Sequence, residues 1–160
     1  MVRRNRPPSL PPRYEPLPEL PENRALLAVL RLQATPPSGP GDFTIGAWQL
    51  HAHPDLQERM EALRPRHPVS CAYGMPVLAF EGVAAVVAWG QRLLVRLPVL
   101  PEGVETSAPA PPLTGGGGWH PVDAWPQRTG HAEGTARLTA LVDGALLHAR
   151  DLGRGRRRRN

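Results

Sequence analysis

The sequence has no lysine, a single cysteine and few aromatic residues. Because Cys71 stands alone, an internal disulfide is excluded. No stretch approaches the roughly 18 to 20 apolar residues that a membrane-spanning helix needs. The early arginines Arg3, Arg4 and Arg6 are followed by prolines where a signal peptide would have its apolar segment. We therefore expect no membrane span and a cytoplasmic protein.

Proline and glycine, in contrast, are abundant, and they divide the chain into regions. Residues 1–21 contain seven prolines and no apolar period, which predicts a disordered or strap-like arm. Residues 22–152 form the predicted single α/β domain, which includes a flexible loop at about residues 98–118. Residues 153–160 form a basic tail. The 160 residues, 41% of them hydrophobic, suffice for one domain with a modest core.

Positive charge is concentrated at the two ends of the chain, although the formal net charge is only +5. Residues 1–13 carry four arginines without an acidic residue, and residues 150–160 carry six arginines against Asp151. Residues 14–149 hold nine arginines against thirteen acidic residues, a net charge of −4. The predicted globule is therefore acidic, and an anionic partner would meet the ends of the chain.

The central part of the chain predicts an antiparallel meander. Glu81-Gly82 and Gly90-Gln91 separate three apolar runs, a pattern typical of short strands joined by two-residue turns. In the third run Leu93, Val95 and Leu97 alternate with other residues, so a helix should cover that face. The three predicted strands are residues 76–80, 83–89 and 92–97.

Three segments have helical periodicity: residues 22–33, residues 54–64 and residues 135–152. The last has a long apolar stripe, and Gly153 stands where a C-terminal cap is expected. Residues 43–50 alternate, which predicts a strand at the edge of the meander. Together these elements predict an α+β fold, an antiparallel meander sheet of three to five strands covered by two or three helices.

From Pro54 onward a helix precedes Gly74-Met75 and Gly82 of the predicted meander, and Trp119 and the helix around Ala145–Leu152 follow it. This order of elements resembles that of the TfoX N-terminal-like and YjbR-like small α/β domains. The resemblance covers about residues 54–152, and this chain departs from the pattern in a longer Pro/Gly-rich loop and an unrelated N-terminal third. It implies a bacterial domain associated with regulatory proteins, without an established catalytic site.

A second, smaller resemblance involves residues 48–60 and residues 118–122. These segments, WQLHAHPDLQERM and GWHPV, are similar to parts of small luciferase-type accessory domains. The histidine-rich segment expected between them is absent.

His51 and His53 are the best metal candidates, because alternate residues of a strand point to the same side. Asp55 or His120 would complete such a site. The competing interpretation is a pair of surface polar groups before a helix, and the absence of a recognised ligand spacing favours it.

Two further motifs have a catalytic and a structural interpretation. Cys71 follows His67 by four residues, and the two could act as a nucleophile and its base. The favoured interpretation is that Cys71 is a small apolar residue entering a strand. Gly115–Gly118 resembles a phosphate-binding loop in composition, yet Pro121 follows where a helix should start, which favours a linker. We name no catalytic residue and expect no cofactor.

The arginines at the C-terminus are the candidate contact to nucleic acid or another polyanion. Arg154 and the run Arg156, Arg157, Arg158 and Arg159 can neutralise several phosphates, and such binding depends on salt and ignores base sequence. The alternative is a solvated tail that improves solubility.

Trp119 and Trp125 are candidate contacts to a protein partner. The alternative is that they pack against and close the edge of the sheet.

Three functions therefore remain open: a non-enzymatic, regulatory binding domain; a small metal-binding or hydrolytic module using His51, His53 and His120; and a structural subunit that docks onto a protein partner or a second copy of the chain.

Overall fold

The computed structural model describes residues 14–64, 68–102, 104, 118–123 and 131–159, which form three α-helices, a six-stranded sheet and a separate two-stranded sheet. The helices are α1 (Arg24–Gln33), α2 (Pro54–Leu63) and α3 (His131–Arg159). The strands are β1 (Glu15–Pro16), β2 (Thr44–Ile45), β3 (Trp48–Gln49), β4 (Val69–Ala72), β5 (Met75–Phe80), β6 (Val83–Trp89), β7 (Arg92–Arg96) and β8 (Trp119–Asp123). None of the described helices is long and apolar enough to cross a membrane.

The α+β class predicted from the sequence is confirmed, and the main sheet has six strands where three to five were predicted. Its order is β1-β4-β5-β6-β7-β8, antiparallel throughout except for β1, which pairs parallel to β4. The predicted meander corresponds to β5, β6 and β7. The turn between β5 and β6 has positive φ at Glu81 (48°) and Gly82 (85°), a geometry that matches the twist of a two-residue hairpin.

Both faces of the sheet are buried. One face packs against α2 and α3 and the other against α1. Sequence alternation had predicted helical cover for one face of β7, but Leu94 on the opposite face is also fully buried. Burial on both sides explains why β5 and β6 are almost continuously apolar rather than alternating.

The N-terminal arm contributes an edge strand. Residues 1–13 lie outside the described residues, whereas Glu15 and Pro16 pair with Ser70 and Cys71 of β4. Leu17, which follows, is buried. Proline is tolerated at this position because an edge strand has one side without ladder hydrogen bonds.

Two sequence predictions were wrong. Residues 43–50 do not join the meander: β2 and β3 form their own small hairpin, because β1 and β8 already occupy the two edges of the main sheet. The last helix does not end before Gly153 but continues to Arg159, so residues 153–159 of the predicted basic tail are helical. Most of the predicted flexible loop at residues 98–118 lies outside the described residues.

Candidate functional site

The C-terminal end of α3 lies directly over the turn between β5 and β6. Gly153 is buried there, and a Cβ atom at this position would lie 3.3 Å from Cγ2 of Val83 at the start of β6. The absence of a side chain at Gly153 therefore allows the helix to approach the sheet closely. This approach places the arginines of the last helical turns beside the Glu81-Gly82 turn.

Asn23 holds the turn from the other side. The side chain is completely buried, and its Nδ2 donates hydrogen bonds to the carbonyl oxygens of Pro18 (2.9 Å) and Gly82 (2.7 Å). Its Oδ1 accepts a hydrogen bond from the backbone N–H of Ala84 at 2.9 Å. The bonds to Gly82 and Ala84 join the segment before α1 to the β5–β6 hairpin, and the bond to Pro18 lies within that segment, so the turn has a fixed position.

Glu22 anchors the end of α3 through an ion pair with Arg156. The side chain of Glu22 is only 9% exposed and that of Arg156 is 24% exposed. An ion pair removed from water to this degree is costly to break on one side only, because the remaining charge stays buried. Arg156 is therefore a structural residue and is not available to a ligand.

Arg96 lies in the same region and is also structural. Its guanidinium donates to the backbone oxygens of Glu22 (2.8 Å) and Ala84 (3.2 Å) and lies 5.2 Å from the ring centroid of Trp119. Burial lowers the pKa of Arg96, an effect that the nearby Glu22 carboxylate opposes. The arginine thus joins the end of β7 to the segment before α1.

Arg157 faces the tip of the turn. Its Nη1 lies 2.9 Å from Oε2 of Glu81, and both side chains are about half exposed, at 51% and 56%. Two turns earlier, Arg150 donates from Nε and Nη2 to Oδ1 of Asp151, both at 3.3 Å. Between the turn and the helix lies a shallow surface depression, here called the notch, that is too small to enclose a water molecule. It is lined by Phe80, Glu81, Val83, Ala149, Arg150, Gly153, Arg156 and Arg157.

The five arginines predicted as a contact thus fall into two groups. Arg156 and Arg157 form ion pairs with Glu22 and Glu81. Arg154, Arg158 and Arg159 are exposed, and none of them pairs with a carboxylate in the described part of the chain. Arg154 and Arg158 are four residues apart, so they lie on one side of the helix.

The histidines of the predicted metal site each make a different contact. Nε2 of His51 lies 2.9 Å from Oγ1 of Thr35, and Nε2 of His120 lies 3.0 Å from the carbonyl oxygen of Leu97. Nδ1 of His53 accepts a hydrogen bond from the backbone N–H of Asp55 (3.1 Å) and caps α2. Across residues 14–64, 68–102, 104, 118–123 and 131–159, no three His, Cys, Asp or Glu residues are grouped to hold a metal ion.

Cys71 is in an environment that disfavours a nucleophilic thiolate. The side chain is buried, its Sγ lies 3.5 Å from the backbone oxygen of Tyr14, and burial raises the pKa of the thiol. His67, its predicted base, lies outside the described residues, as do Gly115, Gly116 and Gly117. The structure thus favours the packing interpretation of Cys71.

Of the two tryptophans predicted as partner contacts, Trp119 is 2% exposed and packs in β8 beneath Arg96. This favours the alternative, that Trp119 closes the sheet edge. Trp125 lies outside the described residues.

Sequence reasoning missed Glu22, Asn23, Glu81 and Arg150. The Glu81-Gly82 dipeptide placed Glu81 in a turn, but its partner Arg157 is 76 residues away, and no local pattern indicates such a pair. Asn23 precedes a helix, where asparagine usually serves as a cap, and its contacts with the hairpin have no signal in the sequence.

Comparison with known proteins yields no match to this chain among family models, curated proteins or solved structures. The resemblance to TfoX N-terminal-like and YjbR-like domains therefore stays a prediction. The site has to be interpreted from its own chemistry.

Proposed function

We propose that the chain is a non-enzymatic binding domain that contacts a polyanion, foremost nucleic acid, through the arginine-rich end of α3. The observation that carries this proposal is the group Arg154, Arg158 and Arg159: exposed arginines that have no carboxylate partner among the residues the structure describes, at the end of a helix that is fixed to the fold. Arginine suits this role because its planar guanidinium binds phosphate oxygens through two parallel hydrogen bonds.

Fixing the helix end supports binding. A disordered tail would lose backbone freedom when it binds, at a cost of about 1 kcal/mol or more per residue ordered. Here the Glu22–Arg156 ion pair and the packing of Gly153 on Val83 already hold the last turns in place. The free arginines are thus presented at fixed spacing before a ligand arrives.

The setting of this function is part of the proposal. On the resemblance of residues 54–152 to TfoX N-terminal-like and YjbR-like domains, we place the protein in the bacterial cytoplasm, in a regulatory context. The two alternatives from the sequence, a metal-binding or hydrolytic module and a partner-docking subunit, have no comparable support among the described residues.

Binding of labelled duplex DNA over a range of salt concentrations tests the proposal. The variant Arg154→Gln/Arg158→Gln should lower affinity by about tenfold at 50 mM salt and reduce the slope of log K against log salt by about 2, one unit for each lost phosphate contact. The matched control is Arg24→Gln/Arg31→Gln, which removes the same charge from exposed positions of α1. Equal affinity of the two variants would contradict the proposal.

A further inference from the structure

We infer that the notch between the β5–β6 turn and α3 is a phosphate subsite of the same interface, and that Glu81 is an internal anion that competes with the phosphate for Arg157. The inference rests on the proposed function and adds a second contact point to it. It concerns residues that the sequence did not bring together, since Glu81 and Arg157 meet only through the fold.

The arrangement of the arginines supports a subsite. Arg150 and Arg157 are seven residues apart on α3, about two helical turns, whereas the exposed Arg154 lies between them along the helix and outside the notch lining. Arg150 and Arg157 are about 10 Å apart along the helix axis at 1.5 Å per residue. Arg150 and Arg157 line the notch itself, which is a surface depression and not a cavity, so a phosphate on a polymer would contact the two arginines from the solvent side.

Glu81 is suited to act as a competitor. Its carboxylate occupies one side of the notch and binds Nη1 of Arg157 at 2.9 Å. Both side chains are about half exposed, so the pair is screened by water and contributes little to stability. A backbone phosphodiester carries one negative charge, as a carboxylate does, and presents two anionic oxygens, so it can take the place of Glu81 on Arg157.

Arg156 differs from Arg157 although both line the notch. Its carboxylate partner, Glu22, is only 9% exposed and cannot swing into solvent. The two neighbouring ion pairs thus have different roles. Glu22–Arg156 holds the end of α3 in place, whereas Glu81–Arg157 can break when a phosphate binds Arg157.

The variant Glu81→Gln tests the inference, because it removes the competing charge and keeps the side-chain length. We expect affinity for duplex DNA to rise about two- to fivefold at low salt, the range that corresponds to an exposed ion pair. Glu58→Gln is the matched control: it makes the same charge change at an exposed position of α2 and should raise affinity less than about 1.5-fold.

A double-mutant cycle separates competition from a general charge effect. In the background Arg157→Gln the gain from Glu81→Gln should fall to that of the control, because the arginine for which the two anions compete is absent. An equal gain in both backgrounds, or a gain from Glu81→Gln no larger than from Glu58→Gln, overturns the inference.

Titration with pyrophosphate, followed through the amide NMR signals of Gly82, Gly153 and Gly155, tests the subsite independently of DNA. Shifts at these three glycines that strengthen in Glu81→Gln and vanish in Arg157→Gln support the subsite, even if duplex DNA does not bind and the proposed function fails. DNA binding that depends on Arg154 and Arg158, without pyrophosphate shifts at the notch and without an effect of Glu81→Gln, overturns the subsite alone.

Discussion

The two parts of α3 are held to the protein by different forces. Up to Ala149 the helix presents a buried apolar stripe to the sheet, formed by Leu138, Leu141, Val142, Ala145 and Ala149. Residues 150–159 are held by the packing of Leu152 on the core, by the close contact at Gly153, and beyond it by the ion pairs Glu22–Arg156 and Glu81–Arg157. Hydrophobic packing is not weakened by moderate salt, whereas exposed ion pairs are.

This difference shows which part of the helix is available for function. The apolar stripe is part of the hydrophobic core, and any movement of this part of the helix would expose buried side chains to water. Beyond Gly153 the arginine-rich end is attached through charges, and a polyanion offers the same kind of interaction to the arginines. The boundary between structure and candidate site thus lies near Arg150, within one continuous helix.

Truncating the apolar stripe should have the largest effect. Leu138→Ala, at a position that is 2% exposed, should lower the free energy of unfolding by about 2 to 5 kcal/mol. Leu147→Ala, on the same helix but 51% exposed, is the control and should stay within about 0.5 kcal/mol of the wild type. Urea unfolding measures both. Similar losses in the two variants would refute the assignment of the buried face.

Breaking the inner ion pair should have the next largest effect. Glu22→Gln leaves Arg156 without its counter-charge and should cost about 1 to 3 kcal/mol, with the upper end reduced because Arg156 is partly exposed. Glu81→Gln should cost less than about 0.5 kcal/mol, since its pair with Arg157 is half in water. Urea unfolding compares the two variants. Equal losses of unfolding free energy would show that the two ion pairs contribute equally to stability.

Alanine substitution of Gly153 and of Gly155 probes the close approach of α3 to the sheet. Gly155→Ala should stabilise the protein by about 0.5 to 1 kcal/mol, because alanine favours the helix and the nearest atom to a new Cβ, on Arg159, is 3.8 Å away. Gly153→Ala should gain less, because its Cβ would meet Val83 at 3.3 Å. A full gain at Gly153, measured by thermal unfolding, would mean that the helix does not approach the sheet as closely as described.

The smallest expected effect is a pH dependence from His148. Burial and then the charge of Arg96 lower the pKa of this histidine, and Asp151 opposes them. The unfolded chain therefore binds the proton more readily, so stability falls as pH drops below about 6.5 toward the lowered value. Thermal midpoints between about pH 7 and 5 should fall more steeply for the wild type than for His148→Gln. Parallel profiles would argue against this assignment.

The sequence predicted those elements whose signals are local. The Glu81-Gly82 and Gly90-Gln91 dipeptides marked two turns, and α2 was recognisable from Pro54 and its apolar spacing. Strand β4 was missed because four residues are too short to show a pattern, and Tyr73-Gly74 was not recognised as a turn. The end of α3 was misjudged because Gly153 was interpreted as a C-terminal cap, whereas tertiary contacts override the low helix propensity of glycine there.

Sequence alone determined the meander, the apolar stripe of the last helix and the concentration of arginine at the C-terminus, because each depends on neighbouring residues. Only the tertiary structure decided which arginines are anchored and which remain free. Glu22 and Glu81 lie far from Arg156 and Arg157 in the chain, and no spacing rule connects residues that meet only when a helix packs across a sheet.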